Sequence, residues 1–137
     1  MCSSDLIYSG IFDRCPNLKI VSVESGIGWI PFVLESIDYE WIETGAQKEM
    51  PLKMMPSEYF RDHFWGCFWF ERVAPTRLID VIGEDNVLFE TDFPHPTCLY
   101  PNVQEFIAEI SVDWSETRKR KILQDNASKL YGIDLPG

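Results

Sequence analysis

An apolar run, Val87-Leu88-Phe89, leads through Glu90 and Thr91 to Asp92, and the chain then breaks at Pro94 and Pro96 around His95. The run reads as a buried strand. A buried strand that delivers an acid at its C-terminal end, followed by a loop, is how α/β barrels present catalytic groups. The rest of a metal site would have to come from other strands, yet His63 and His95 are the only histidines in the sequence. That shortage reads as a piece of an enzyme rather than a whole one.

Two more stretches read as buried strands: residues 18–23, mostly β-branched and apolar, and the aromatic-dense residues 64–70. The first runs into a turn-forming segment at 24–28. Between them, Ile30, Val33, Leu34, Ile37 and Trp41 recur at helical spacing, with Pro31 in the first turn and Gly45 as the stop. Residues 46–56 read as a connection. Shorter helices are expected near the N-terminus, capped by Ser4 and stopped before Pro16. Others follow Pro56, capped by Ser57 with Glu58 in the first turn, run from Pro75 to Gly83, and carry Val103, Phe106, Ile107 and Ile110. The last helix shows Asp113 and Glu116 in the spacing of a capping box, a stripe of Leu123, Ala127, Leu130 and Tyr131, and Gly132 as its end. No internal repeat or low-complexity segment is visible. Strands that are apolar throughout and separated by helices imply a parallel sheet covered on its faces. Three strands make a poor sheet, because both outer strands are edges. A barrel needs eight strands and ~250 residues, and this chain has 137.

Hydrophobic residues make up 45% of the chain, enough for a core, and the net charge is −10. That charge argues against nucleic acid and against anionic membrane surfaces, since phosphate binding needs a basic face. The basic exception, Arg118-Lys119-Arg120-Lys121, reads as a solvated helix face. Cys2, Cys15, Cys67 and Cys98 are widely spaced, with no C-x-x-C pair for a zinc ribbon or redox site. No secretory leader and no run near the ~20 apolar residues of a membrane span is visible. A reducing cytoplasm with free thiols is the expected setting.

Four segments, in order, resemble the amidohydrolase-related enzymes. These are metal-dependent (β/α)8 barrels that include aminocarboxymuconate-semialdehyde decarboxylase. Pro16-Asn17-Leu18-Lys19-Ile20-Val21-Ser22-Val23-Glu24-Ser25-Gly26 resembles their sixth strand, and Pro56-Ser57-Glu58-Tyr59-Phe60 the approach to the seventh. Val87 to His95 resembles the eighth, with its T/S-D-[FY]-P-H motif, and Asn126-Ala127 through Leu130-Tyr131-Gly132 resembles the closing N-A-x-x-L-Y-G helix. The resemblance covers essentially the whole chain. It implies an α/β fold that is the C-terminal part of a TIM (β/α)8 barrel, about three βα units (strands 6–8), with residues 1–137 as one partial domain lacking its N-terminal half. The family's first-strand H-x-H and fifth-strand histidine are absent, and Glu24 stands where many members have a histidine.

By resemblance Asp92 is the metal ligand and catalytic acid/base. A carboxylate there takes a proton from metal-bound water in hydrolysis, or relays a proton in nonoxidative decarboxylation. The competing reading is a turn or cap aspartate. Glu24, Trp29, Glu71 and His95 are candidates for the substrate side. Each has a bland alternative: Trp29 as core, His95 as a loop histidine bonded to backbone. Glu24 ends an apolar strand, where an unpaired carboxylate is costly. His63 and the aromatics of 64–70 read as packing. The implied cofactor is a divalent metal, zinc with manganese as the alternative. The implied substrate is a small carboxylate- or carbonyl-bearing molecule, and the longer protein is expected to be a homo-oligomer. The alternative is a non-catalytic fragment or subunit that needs a partner chain to complete the barrel.

Overall fold

A computed structural model describes residues 3–50 and 52–135. Among these, α1 is Ser3–Tyr8, α2 Ile11–Arg14, β1 Ile20–Ser22, α3 Ile30–Glu43, α4 Pro56–His63 and β2 Phe64–Phe68. Then come α5 Val73–Arg77, α6 Ile79–Ile82, β3 Val87–Phe89, α7 Val103–Ile110, α8 Glu116–Arg120 and α9 Asn126–Tyr131. The three strands form one sheet in the order β1-β2-β3. Strands β2 and β3 are parallel, with Gly66, Cys67 and Phe68 opposite Val87, Leu88 and Phe89. For β2 and β3 the expected parallel pairing across intervening helices is present. No helix of the described residues is long and apolar enough to cross a membrane.

The chain divides into two compact units, Met1–Val21 with Trp29–Trp65, and Ser22–Gly28 with Gly66–Gly137. In the first, Ile7, Phe12, Ile37, Trp41, Tyr59, Phe60 and Phe64 are buried. His63 belongs to this packing: its ring stacks on Phe12 at 4.4 Å and its Nδ1 lies 2.8 Å from the Leu18 carbonyl oxygen. Helix α4 starts two residues earlier than expected. Pro56 takes the first helical position and Glu58 accepts from the Met55 N–H at 2.8 Å, so Met55 is the cap residue. Ser57 instead donates its hydroxyl to Asp38 at 2.6 Å.

The second unit is built on β2 and β3. Cys67, Phe68, Ala74, Ile79, Ile82, Val87, Leu88, Phe106, Ile110 and Ile122 are its buried apolar residues. Consecutive residues of β2 and of β3 are buried, so both faces of this strand pair are covered. The expected single helix from Pro75 to Gly83 is two, with Leu78 between them, and Gly83 at φ 98° ends the second. In the last helical segment, Ser115 rather than Asp113 is the cap, accepting from the Arg118 N–H at 3.1 Å. A π-helical turn at Lys121–Asp125 then rotates the helix, so Ile122 and Asn126 face inward while Tyr131 is exposed. The basic run is only partly a solvated face: Arg118 and Lys121 pair with Glu84 at 2.9 and 3.0 Å.

Candidate functional site

Beyond β3 the ladder continues for one bond, from the Glu90 N–H to the Phe68 carbonyl oxygen at 3.0 Å. Two residues later the backbone turns sharply. Asp92 adopts φ 59°, a left-handed conformation that aspartate tolerates better than most residues. The His95 N–H closes the turn on the Asp92 carbonyl oxygen at 2.8 Å, and the Leu99 N–H returns to Thr91 at 3.1 Å. The Asp92 side chain is 7% exposed, whereas that of His95 is 62% exposed.

Three side chains meet there. The Thr97 hydroxyl donates to Asp92 Oδ2 at 3.1 Å, and His95 Nδ1 lies 3.1 Å from the same hydroxyl and 3.6 Å from Asp92 Oδ2. A hydroxyl has one proton to give. With that proton on Asp92, the Thr97 oxygen accepts from His95 Nδ1–H, which leaves Nε2 of a neutral His95 as an acceptor. Thr97 escaped the sequence reading because an exposed threonine in a loop carries no pattern.

Residues 24–28 form the second part. Glu24 adopts φ 54°, and its backbone N–H donates to Glu90 Oε1 at 2.8 Å. The Ile27 and Gly28 N–H groups donate to Glu71 Oε2 and Oε1, at 2.7 and 3.0 Å. Both oxygens of Glu71 are thus engaged by backbone. Burial raises the Glu90 carboxyl pKa, and the charges of Glu24 and Asp92 raise it further; the Glu24 N–H and a bond with Cys67 oppose this. The Cys67 thiol is pushed up to about 12, by burial first and then by Glu90. Glu24, Glu90 and Asp92 therefore share one electrostatic neighbourhood. Glu90 was legible only as the acid that interrupts the apolar run. Trp29 lies in the first unit and is half-buried there.

A zinc-type site needs three or four ligands. Among the described residues no group of three His, Cys, Asp or Glu is placed to hold a metal ion. Asp92 is a single carboxylate with one oxygen already bonded to Thr97. The described donor set does not fit a metal by itself.

The amidohydrolase family profile matches residues 3–133. The chain belongs to the amidohydrolase family. Within it, the chain is 30% identical over 139 residues to 2-amino-3-carboxymuconate-6-semialdehyde decarboxylase of Dictyostelium discoideum, covering 98% of this chain and 36% of that protein. It is also 30% identical to a gamma-resorcylate decarboxylase of Polaromonas sp., covering 94% and 39%. Among solved structures, 5-carboxyvanillate decarboxylase of Sphingomonas paucimobilis superposes with a TM-score of 0.78 at 31% identity, over 96% of this chain and 39% of that one. A dihydroxybenzoic acid decarboxylase of Polaromonas sp., with bound manganese and 2-nitroresorcinol, superposes with a TM-score of 0.74 at 28% identity, over 98% and 40%. This amidohydrolase chain thus spans between a third and two-fifths of the length of these relatives, and its α/β fold is that of part of such an enzyme.

Proposed function

We propose that this chain is the C-terminal part, strands six to eight, of a metal-dependent nonoxidative decarboxylase acting on a small carboxylate-bearing substrate, with Asp92 as acid/base and one metal ligand. The observation that carries this reading is Asp92 itself: a nearly buried carboxylate, held in a left-handed turn just past the C-terminal end of a parallel strand. Strain of that kind persists where surrounding structure over-determines it, and it clusters at functional sites. The relatives are decarboxylases by name, which favours decarboxylation over hydrolysis.

In this reading Asp92 gives a proton to the carbon that bears the substrate carboxylate. The carbon–carboxyl bond then breaks, its electron pair stays on that carbon, and CO2 leaves. Asp92 regains its proton from solvent. Thr97 holds one oxygen of the carboxylate and His95 presents Nε2 on the same loop. Glu24 stands on the substrate side. The ion is zinc or manganese, completed by ligands from outside these residues; a relative holds manganese. The longer protein is read as a cytoplasmic homo-oligomer, and the free Cys15, Cys67 and Cys98 suit a reducing compartment.

The test is CO2 release from 2,6-dihydroxybenzoate and related hydroxybenzoates by the longer protein loaded with Mn2+ or Zn2+. Release that disappears with chelator supports the reading; none across the series, with the metal bound, overturns it. A second reading is a non-catalytic subunit completed by a partner chain, and the lack of a three-ligand cluster among the described residues is compatible with either. Both readings expect weak metal binding and no turnover from the 137-residue chain alone. Submicromolar, stoichiometric binding by that chain would contradict both.

A further inference from the structure

We propose that Glu71 and Glu90 are positioning residues: they fix the backbone of residues 24–28 and thereby set where the Glu24 carboxylate stands. The catalytic meaning of that placement rests on the function proposed above; the backbone part does not.

The argument starts from where the loop's N–H groups go. Those of Glu24, Ile27 and Gly28 all donate to carboxylate oxygens, at 2.8, 2.7 and 3.0 Å. Bonds to an ionised acceptor are shorter and stronger than neutral ones. Both acceptors come from beyond the C-terminal ends of paired parallel strands, Glu71 after β2 and Glu90 directly after β3. Sheet geometry is therefore transmitted to the loop through two side chains. Glu71 is committed to this task. Its neighbour Arg72 is bonded to Glu109 at 2.7 Å, and both Glu71 oxygens face the loop amides. Glu90 holds the N–H of the one residue in the loop, Glu24, that is left-handed without being glycine.

Gly26 supplies an independent observation. It has φ 67°, and a Cβ there would come within 2.7 Å of the Glu71 carboxyl group. The turn is shaped around that carboxylate, and a methyl group at 26 would displace it. Each Glu71 oxygen accepts a backbone N–H, which fixes the carboxylate against the loop. This moves Glu71 from the substrate side to the support of Glu24.

The test is amide hydrogen exchange on the 15N-labelled full chain, with Glu71→Gln, Glu90→Val, Glu90→Gln and Gly26→Ala. Glu71→Gln keeps the shape but loses one of the two acceptors, so at least one of the Ile27 and Gly28 amides should exchange at least ten-fold faster. Gly26→Ala should do the same. Glu90→Val should release the Glu24 amide, and Glu90→Gln, which keeps an oxygen, should restore it. The amide of Leu88 in β3 serves as the fold control. Unchanged exchange at Ile27 and Gly28 in Glu71→Gln, with the control intact, overturns the proposal. In the longer enzyme, Glu71→Gln should lower kcat/KM, and Glu24→Gln with Glu71→Gln should cost no more than Glu24→Gln alone. Additive costs would overturn the action through Glu24. An enzyme without decarboxylase activity would sink the functional reading while the exchange data still decide the backbone one.

Discussion

The buried side-chain amide of Asn126 donates to the Val87 carbonyl oxygen at 2.8 Å. The same nitrogen donates to the Glu84 carbonyl oxygen at 2.7 Å. One NH2 group, which has two protons to give, thus satisfies two carbonyls at the entry to β3, and the strand that delivers Asp92 is pinned at its start by a helix near the end of the chain. Removing the amide leaves two acceptors short of a donor, at a cost of about 1–3 kcal/mol for a buried group. Asn126→Leu is expected to destabilise by about 2–3 kcal/mol on that basis, read from urea unfolding. Asn126→Asp should be no better, because it sets acceptors against acceptors. A loss below about 0.5 kcal/mol for both, the size of an ordinary surface change, would show that this bond does not hold the strand.

Cys67 and Glu90 are coupled, and both hold their protons more tightly when folded. The Cys67 thiol, with an ordinary value of 9.0, is pushed up to about 12 by burial and then by Glu90, and burial raises the Glu90 carboxyl. A raised folded-state pKa stabilises below the ordinary value, and the contribution is lost as pH rises. Glu90 therefore contributes most in acid and loses its contribution above the ordinary carboxylate range. The contribution from Cys67 fades between 9.0 and about 12. Because thiolate is the reactive form, a maleimide at pH 8 should label exposed Cys15 and leave Cys67 unmodified until denaturant is added. Peptide mapping by mass spectrometry checks this; rapid labelling of Cys67 in the folded chain would contradict it.

The parallel strands and the motif around Asp92 were readable because each carries its own signal: an apolar run, and an acid before a proline break. Glu24 and Glu71 were legible as acids at the ends of strands, but their roles were not. A glutamate whose carboxylate bonds to the backbone N–H groups of Ile27 and Gly28, 44 and 43 residues away, looks in sequence like one that faces a substrate. Ser115 and Ser57 show the local form of the problem. Each stands two residues from the competing position, Asp113 for Ser115 and Met55 for Ser57, and only the backbone decides which is used. The inward turn of Ile122 and Asn126 was hidden because a π-helical turn breaks the 3.6-residue period from which faces are read.

Glu84 has the opposite pH sign. Bonds from Arg118 and then Lys121 hold its carboxyl below the usual range. A lowered folded-state pKa stabilises above the ordinary value of ~4.3, and that stability is lost as pH falls through the folded value. The Glu84 and Arg118 side chains are 32% and 28% exposed, so salt should weaken the effect. Glu84→Gln should flatten the acid limb of the stability curve, and Arg118→Met should move the acid unfolding midpoint to higher pH. Circular dichroism between pH 2 and 6, as an order-of-magnitude window around these values, gives the answer. An unmoved midpoint in Arg118→Met would show that the pair contributes nothing to acid tolerance.

The Asp92 backbone and side chain make separable demands. Its φ of 59° favours Asn, Asp and Gly, so Asp92→Asn and Asp92→Gly should keep the melting temperature of the chain. Asp92→Ala should lower stability by about 1–2 kcal/mol, the cost of a left-handed residue with an unhelpful Cβ. The side chain is tested in the longer enzyme. If Asp92 moves the proton, Asp92→Asn should lower kcat by about 10²–10⁴-fold, the range for a lost general acid or base. Thr97→Val, which loses the bond to Oδ2, should cost less, about ten-fold, and Thr97→Ser should recover most of that loss by keeping the hydroxyl. If Asp92→Asn keeps both its fold and its rate, the proton is carried by another group, and Asp92 is a turn residue after all.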